Sequence, residues 1–546
     1  MKKLIFLLSI FAIVLSCSSD ETSTPVTPPP APIAKYTITL SAGEGGTVST
    51  TGGEYESGQT VSVTATPQGE YVFTNWSDGN TNATRTITVS SNSTLTANFE
   101  KRKYPLTINI EGEGEVLEEI VNAGRTTEYN SGTTVKLTAQ AADERVFVGW
   151  TGDIESTDES VQIVIGESKE VTVTFENNPF SVTHIPDYSK PSYYTRIPFP
   201  QNVKTGTYRE FSNWHPPLEA VVLDYNKDGY LDIIDNQSDY GVFTRNNILF
   251  LQGTSSGKLE IDSNNSYKHP GLIHGRKGLT GDYNGDGWPD VFFIGHGYDL
   301  QDDNPRNEYP IMLLNNQGKD FEYRAFESVV GFFHTGASGD IDNDGDLDIL
   351  LIDGTKGVEN SYIFINDGTG DFLAVPLDQY QSLPSDTYDS FFQKWTVELN
   401  DIDNNGYLDI IIAGAPDTYG STPPTILLNS SNGFTSKIEL PKEPVYKLVV
   451  DIDFYDFDGD GIDELILNRT PLNYISYKVT IHSLTTDEDL TTTYFNNNDF
   501  TGQTSDKWMY WISIIEKDGE LYLKGDDMYT PHQWIFEDGK FKKTIP

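Results

Sequence analysis

The stretch "DYNGDGWPD", which runs from Asp282 to Asp290, decides how the rest of the sequence is interpreted. It places side-chain oxygens at positions 1, 3, 5 and 9 and a glycine at position 6. Carboxylates packed this closely repel one another unless a cation lies between them. A flexible set of oxygen ligands without His or Cys suits Ca²⁺ rather than zinc, so the stretch predicts a calcium-binding loop.

The same pattern occurs four more times, and the five loops begin at positions spaced 58, 58, 61 and 55 residues apart. Position 6 is glycine in every loop, which predicts a tight turn with positive φ. Each loop closes at position 9 and runs into a β-branched stretch, whereas an EF-hand closes at position 12 and continues into a helix. One structural Ca²⁺ per loop is expected, about five in all. The predicted ligands are Asp224, Asn226, Asp228 and Asp232 in loop 1; Asp282, Asn284, Asp286 and Asp290 in loop 2; Asp340, Asp342, Asp344 and Asp348 in loop 3; Asp401, Asp403, Asn405 and Asp409 in loop 4; and Asp456, Asp458, Asp460 and Glu464 in loop 5.

Short apolar segments flank each loop, and a further apolar segment follows. Three or four short strands per repeat of about 58 residues are typical of one blade of a β-propeller. The repeats resemble the FG-GAP/VCBS family, whose propellers also form the head of integrin α chains. This resemblance covers residues 178–546 and implies a calcium-binding β-propeller, for which seven blades are favoured over six. A metal site that recurs in every blade is expected to stabilise the fold rather than to catalyse a reaction.

Two similar segments precede the repeats, at residues 36–100 and 101–177. Trp76 in the first aligns with Trp150 in the second, and both segments alternate apolar and polar residues, as half-buried strands do. They resemble internalin-type B-repeats, which implies small β modules that serve as a stalk or spacer. The predicted fold class is therefore all-β, with two small tandem β modules followed by a calcium-binding β-propeller.

The N-terminus resembles that of a bacterial lipoprotein. Two lysines precede a twelve-residue apolar run, which is too short to span a bilayer. Residues 1–16 are interpreted as a lipoprotein signal peptide and Cys17 as the lipidated residue, with an ordinary signal peptide as the alternative. Residues 17–35 then form the lipidated N-terminus and a Pro-rich linker. The acidic residues Asp20 and Glu21 resemble a surface-export signal, so we expect the protein on the bacterial outer membrane, lipid-anchored and facing the cell exterior.

The composition excludes several classes of partner. A net charge of −44 opposes binding to nucleic acid and to anionic lipid, so membrane association is expected only through the lipid anchor. Cys17 is the only cysteine, and therefore no intrachain disulfide can form. Stability outside the cell must then come from packing or from bound metal.

Loops that differ from blade to blade are the expected place for a ligand. Several such loops combine aromatic residues with Arg, Asn or Asp, which suits the apolar faces and hydroxyl rims of sugars. The longest polar example beside a calcium loop is "IGHGYDLQDDNPRNEYP", which ends at Pro310. The candidate ligand-binding residues are His296, Tyr298, Arg306, Trp214, Trp395 and Trp508.

The favoured function is that of a non-catalytic cell-surface lipoprotein whose propeller binds an extracellular polysaccharide or a surface protein. The alternative is a polysaccharide lyase or hydrolase of the propeller type, with His, Tyr and Arg at the channel mouth. That alternative rests on His215, His274 and His334, which precede acidic loops by nine, eight and six residues. No nucleophile elbow, HExxH motif or recognisable pair of catalytic carboxylates supports it.

Overall fold

The computed structural model is almost entirely β-structure. It describes residues 31–120, 128–192, 196–197, 220–237, 245–297, 308–380, 383, 391, 394–414, 423–441, 443–484, 488–496, 499–502, 508–509, 511–517, 519–526 and 531–545. The chain forms two compact units, one with most of the two N-terminal modules and one with residues 173–546 and the short segments 110–115 and 139–149. Within the described ranges, no helix is both long enough and apolar enough to cross a membrane.

Each N-terminal module folds into one four-stranded and one three-stranded sheet. The strands of the first module are β1 (Lys35–Ala42), β2 (Gly46–Val48), β3 (Gly52–Glu56), β4 (Thr60–Pro67), β5 (Tyr71–Trp76), β6 (Thr84–Thr88) and β7 (Ser93–Lys101). Those of the second are β8 (Lys103–Glu111), β9 (Gly114–Ile120), β10 (Glu128–Asn130), β11 (Thr133–Ala141), β12 (Arg145–Gly152), β13 (Ser160–Ile165) and β14 (Lys169–Asn177). The strand orders β3-β1-β7-β5 and β2-β4-β6 in the first module correspond to β10-β8-β14-β12 and β13-β11-β9 in the second.

The two aligned tryptophans are core residues. Trp76 and Trp150 are almost completely buried. The indole Nε1 of Trp76 donates to the carbonyl of Asn82 at 3.0 Å, and that of Trp150 donates to the carbonyl of Asp158 at 3.0 Å. The same ring therefore closes the same turn in both modules, since a buried indole N–H needs an acceptor.

The second unit contains consecutive sheets of three or four antiparallel strands. The strands are β15 (Ala220–Leu223), β16 (Asp232–Asp235), β17 (Leu249–Gly253) and β18 (Leu259–Ile261); β19 (Gly275–Gly281), β20 (Asp290–Gly295), β21 (Ile311–Asn316) and β22 (Asp320–Ala325); β23 (Phe333–Gly339), β24 (Asp348–Asp353), β25 (Gly357–Asn366) and β26 (Phe372–Pro376); β27 (Lys394–Asn400), β28 (Asp409–Gly414), β29 (Thr425–Leu428) and β30 (Ser436–Glu439); β31 (Leu448–Tyr455), β32 (Glu464–Thr470) and β33 (Lys478–His482); and β34 (Trp511–Lys517), β35 (Glu520–Asp526), β36 (Pro531–Glu537) and β37 (Lys540–Ile545). A 3₁₀ turn, η1 (Leu377–Gln379), and one helical turn, α1 (Thr491–Tyr494), complete the list.

Each sheet of this unit is a meander in which consecutive strands pair, and the first strands of successive sheets contact one another from β19 through β23, β27 and β31 to β34. First strands that meet in this way line a common centre, which is the arrangement of propeller blades. The all-β fold class and the propeller are thereby confirmed. The described residues contain six such sheets, and the preference for seven blades over six stays a prediction.

The apolar runs that follow the acidic loops form the second strand of each propeller sheet, and the burial of these strands explains why they are apolar. Every residue of β24 is buried, because neighbouring sheets pack on both of its faces. Leu350 packs in a cluster with residues of the next sheet, whereas Leu351 packs in a cluster with residues of the preceding one. A strand covered on both faces is apolar throughout instead of alternating. This packing holds the acidic loops at a fixed place between strands one and two of each blade.

Candidate functional site

Each acidic loop connects the first and second strands of its sheet, and its first carboxylate holds the turn. In loop 2, Asp282 accepts hydrogen bonds from the backbone N–H groups of Asp286 at 3.1 Å and Gly287 at 2.8 Å. Asp286 in turn accepts from the N–H of Trp288 at 2.9 Å. The equivalent bonds recur in the other four loops, so all five share one backbone conformation.

This conformation needs left-handed backbone at two positions. The glycine at position 6 has positive φ in every loop, for example 85° at Gly287, which confirms the prediction. Position 4 also has positive φ in every loop, a feature that the sequence analysis missed although Gly or Asn fills it in four of the five. Lys227 is the exception, with φ of 57°. Its ammonium group donates to the carbonyl of Gly287 at 2.7 Å and thereby connects loop 1 to loop 2.

The carboxylate at position 9 is a buried anchor between neighbouring strands. Asp290 has no exposed surface and accepts backbone hydrogen bonds from Tyr283 at 2.9 Å and Asn315 at 2.7 Å. Burial, reinforced by the charges of Asp286 and Asp282, raises the pKa of Asp290 to about 8. Burial likewise raises the pKa of the other position-9 carboxyls, to about 8 for Asp232 and to about 7 for Asp348, Asp409 and Glu464.

The donor set of the loops fits a hard divalent cation. In three loops, carboxylate oxygens from three residues lie within 4.8 Å of one another. These triplets are Asp340, Asp342 and Asp344 in loop 3, Asp401, Asp403 and Asp409 in loop 4, and Asp456, Asp458 and Asp460 in loop 5. Loops 1 and 2 have the amide oxygens of Asn226 and Asn284 at position 3 instead. Buried, mutually repelling carboxylates of raised pKa are the groups whose charge a bound cation would offset.

The amide at position 5 of loop 4 has a structural reason. Asn405 accepts from the N–H of Tyr407 at 2.8 Å, as the aspartates at this position do in other loops. Its Nδ2 also donates to the carbonyl of Asn429 at 2.8 Å, and a carboxylate could not make that bond. Asn in place of Asp at position 405 therefore removes one negative charge from the ligand set. In return it adds a hydrogen bond to the turn that follows β29.

Charged side chains lie between the first strands of neighbouring sheets. No sequence motif predicted them. Glu398 on β27 is fully buried, and its Oε1 accepts from Nζ of Lys277 at 2.6 Å and from Nη2 of Arg196 at 3.3 Å. Arg196 also donates to Asp451 at 2.8 Å and to the carbonyl of Ile512 at 3.4 Å. One guanidinium thus joins the first strands of three sheets at the centre of the propeller.

The chain that precedes the first sheet lies along these strands. The carbonyl of Tyr188 accepts from the backbone N–H of the first residue of loop 2 at 2.9 Å. Ser192 donates its N–H to the carbonyl of Ser338 at 2.9 Å, and the N–H of Ser338 donates to the hydroxyl of Ser192 at 3.0 Å. Because these partners belong to the strands and loops around the centre, we call residues 188–192 and Arg196 the channel segment.

Aromatic rings line the other end of the first strands, away from the acidic loops. His334 stacks on Trp395 with ring centroids 5.2 Å apart, and Trp395 lies parallel to Tyr474 at 6.4 Å. The ring centroids of Tyr474 and Trp508 are 5.0 Å apart. His296 stacks on His334 and also on Phe332. We call this row the aromatic arc; it consists of His296, Phe332, His334, Trp395, Tyr474 and Trp508.

A β-bulge directs the arc residues of the first strands. The pairing of β19 with β20 skips Arg276, that of β23 with β24 skips His334, and that of β27 with β28 skips Trp395. Each of these residues stands six positions before the first residue of its acidic loop, as does Val450 in β31, where the register also shifts. Bulges commonly re-aim a side chain at the rim of a sheet. The common spacing was the signal in the sequence that could have identified these positions together.

The structure brings several of the candidate residues together and separates others. Trp395 and Trp508 share contacts with Tyr474, which the sequence analysis did not name. His296 is a completely buried member of the arc, and its ring centroid lies 4.0 Å from that of His274. The remaining candidates lie outside the described residues: Trp214, His215, Tyr298, Arg306 and the lipidation residue Cys17.

Comparison with known families agrees with this architecture. Residues 36–103 and 104–179 match the divergent InlB B-repeat domain, and residues 282–351, 340–412 and 401–467 match the FG-GAP-like repeat. The chain therefore carries divergent InlB B-repeat domains at its N-terminus and FG-GAP-like repeats in its propeller, which confirms both resemblances.

Solved structures give distant likenesses of fold. The Dos1 propeller is 8% identical, with 59% of this chain and 69% of that chain covered and a TM-score of 0.33. A mutant of the Bombyx mori GH32 beta-fructofuranosidase in complex with sucrose is 14% identical, with coverages of 47% and 60% and a TM-score of 0.27. An ancestral GH74 enzyme is 12% identical, with coverages of 85% and 53% and a TM-score of 0.33. No curated protein matches the chain.

Proposed function

We propose that this protein is a calcium-stabilised propeller of the cell surface that binds an extracellular glycan at the aromatic arc. The observation that carries the proposal is the row of half-buried rings formed by Trp395, Tyr474 and Trp508. They come from three successive blades and meet at one end of the first strands. Rings that stay partly exposed while contacting one another suit the apolar faces of sugars.

A protein partner is the other ligand class that the sequence allows. A stable protein interface buries about 800 Å² on each side. The arc instead runs as successive ring contacts from His334 through Trp395 and Tyr474 to Trp508. A chain-like ligand such as an oligosaccharide matches that shape better than the broad face of a folded protein.

Calcium has a stabilising role in this proposal. The five loops lie at the end of the first strands opposite the arc, so ions held there would be remote from the bound glycan. Bound Ca²⁺ would offset the repulsion among the clustered carboxylates, with one ion in each of five loops. At free calcium ten times the Kd, each site would add about 1.4 kcal/mol to the stability of the propeller.

The N-terminal part would display the propeller at the cell surface. Lipidation at Cys17 supplies the anchor, the Pro-rich linker supplies reach, and the two B-repeat domains serve as a stalk. The apolar run followed by Ser16 and Cys17, with acidic residues directly after, supports this part of the proposal. The outer membrane, facing the exterior, is the location that follows.

A polysaccharide lyase or hydrolase is a second candidate, because three histidines meet beside an arginine. His274, His296 and His334 form consecutive ring contacts, and Arg276 lies 2.6 Å from His334. Burial lowers the pKa of both His296 and His334 well below the usual value, which leaves neutral imidazoles that could accept a proton. Activity on the same polysaccharides that bind, followed by the appearance of new reducing ends, would favour the enzyme over the binding protein.

The binding proposal is tested by two matched tryptophan substitutions. Trp395→Ala should lower the affinity for the best ligand of a glycan array by about tenfold to a hundredfold, with melting temperature nearly unchanged. Trp288→Ala removes an equally half-buried ring at the calcium end and should leave binding intact. Equal losses in the two variants, or no glycan bound by the full chain, would contradict the proposal.

A further inference from the structure

Arg276 differs from the other cations that border the channel. Lys277 is paired with the buried carboxylate of Glu398, and Arg196 is paired with the buried carboxylates of Asp451 and Glu398. Arg276 has no carboxylate partner among the described residues. Its Nη2 lies 2.6 Å from Nε2 of His334 instead. The chain has a net charge of −44, and yet the described residues place no carboxylate on this cation at the edge of the candidate site.

The imidazole beside Arg276 accepts one of its hydrogen bonds. Burial, together with the adjacent guanidinium, lowers the pKa of His334 well below its usual value, so the ring is neutral and accepts the hydrogen bond. His296 behind it is held neutral for the same reasons. A guanidinium has five N–H donors, of which His334 takes one. Within the described residues, the guanidinium of Arg276 therefore has N–H donors beyond the one that His334 takes.

The bulge in β19 places this charge at the arc. Arg276 is half-buried and occupies the bulge position that His334 and Trp395 occupy in the next two blades. Its charge reaches Tyr474, since it opposes the rise in the pKa of Tyr474 that burial causes. The cation and the stacking rings thus face one common region at the channel mouth.

We infer that the glycan bound at the arc is anionic, with its carboxylate or sulfate group held by Arg276 and its sugar faces on Trp395 and Tyr474. This inference rests on the proposed function. Guanidinium groups bind such planar or multi-oxygen anions through paired, charge-assisted hydrogen bonds. A neutral glycan would cover Arg276 without replacing its hydration, which gives selectivity for the charged form.

The test uses pairs of oligosaccharides that differ only in charge. Calorimetry on the full chain would compare oligogalacturonides with their methyl esters, and sulfated galactan oligosaccharides with their desulfated counterparts. At least one anionic oligosaccharide should bind about tenfold or more tightly than its neutral counterpart. The pair that shows this difference tells whether the recognised group is a carboxylate or a sulfate.

Arg276→Gln should lower the affinity for the anionic oligosaccharide by about tenfold to a hundredfold and abolish the preference for the charged member. Arg276→Lys keeps the positive charge but loses the planar guanidinium with its paired donors. It should retain the preference for the anionic oligosaccharide at reduced affinity.

Arg324→Gln is the matched control, because Arg324 pairs with Glu322 on β22 and with Asp371 just before β26. It should leave both affinities unchanged, and melting curves would show that each variant is folded. Equal binding of charged and neutral members in both pairs, or full binding by Arg276→Gln, would overturn the inference while leaving glycan binding at the arc intact. If neither charged nor neutral glycans bind, the proposed function fails and this inference fails with it.

Discussion

Replacing Glu398 with Gln should destabilise the propeller because it leaves a half-buried cation, Lys277, without a counter-charge. Glu398 is fully buried, and burial raises its pKa against the opposing effect of Lys277 and Arg196. In Glu398→Gln the side chain keeps its shape but loses its charge. Arg196 then retains the carboxylate of Asp451, whereas Lys277 has only neutral acceptors, the amide oxygen at position 398 and the carbonyl of Val397 at 3.3 Å. Removing one partner of a buried pair costs about 3–5 kcal/mol.

This loss of stability can be converted into a fall in melting temperature. An unfolding entropy of about 2.1 cal/mol/K per residue gives about 0.8 kcal/mol/K for residues 178–546, so Tm should fall by about 4–6 °C. Differential scanning calorimetry of the full chain in calcium would measure the shift. The transition of the N-terminal modules, which Glu398 does not touch, serves as the internal reference.

A double variant separates loss of the ion pair from general disruption. Lys277→Met combined with Glu398→Gln removes both partners, so most of the stability lost in the single variant should return. Glu322→Gln is the surface control, since Glu322 is largely exposed in its pair with Arg324 and should cost under about 1 kcal/mol. A single Glu398 variant that melts within about 1 °C of the wild type would refute the reasoning, as would a double variant no more stable than the sum of the two single ones.

Four further predictions concern calcium and the anchor. EDTA should lower the Tm of residues 178–546 by several degrees and leave that of the isolated N-terminal modules unchanged; equal melting with and without chelator would exclude structural calcium. Asp286→Ala should weaken calcium binding, followed by titration, more than Asn405→Ala, because it removes a charged ligand. In EDTA, however, Asn405→Ala should still lower Tm, because the bond to Asn429 is lost; an unchanged Tm would contradict that role. Cys17→Ala should release the protein from the membrane fraction, and persistent association would show that another element anchors it.

The acidic loops could be predicted from the sequence because their chemistry is local. Nine residues fix the ligands, the glycine at position 6 and the closing carboxylate, and five copies repeat the same spacing. The left-handed backbone at position 4 was not predicted because position 4 of the first loop is Lys227. Gly or Asn in all five loops would have indicated a positive φ there. The hydrogen bond of Asn405 to Asn429 was also hidden, since it joins residues 24 positions apart.

The aromatic arc and the channel charges could not be predicted in the same way. Trp395 and Trp508 were identified as aromatic candidates, but their common neighbour Tyr474 comes from the turn after β32 and belongs to no repeated pattern. The bulges shift Arg276, His334 and Trp395 out of the two-residue alternation by which strand faces are usually assigned. For the channel charges, nothing near Glu398 in the sequence indicates that its partners are Lys277 and Arg196.

The channel segment has a consequence for how the protein folds. Its residues are synthesised before any blade, yet their partners are far ahead in the chain: Ser192 bonds to Ser338 across 146 residues, and Arg196 bonds to Asp451 across 255 and to Ile512 across 316. Contacts of such high contact order form slowly, because a long loop must close before they contribute any stability. The central strands can therefore reach their final packing only after the last blade has been synthesised, and ribosome-bound chains that end before residue 511 should lack the protection from hydrogen exchange that Arg196 helps to create.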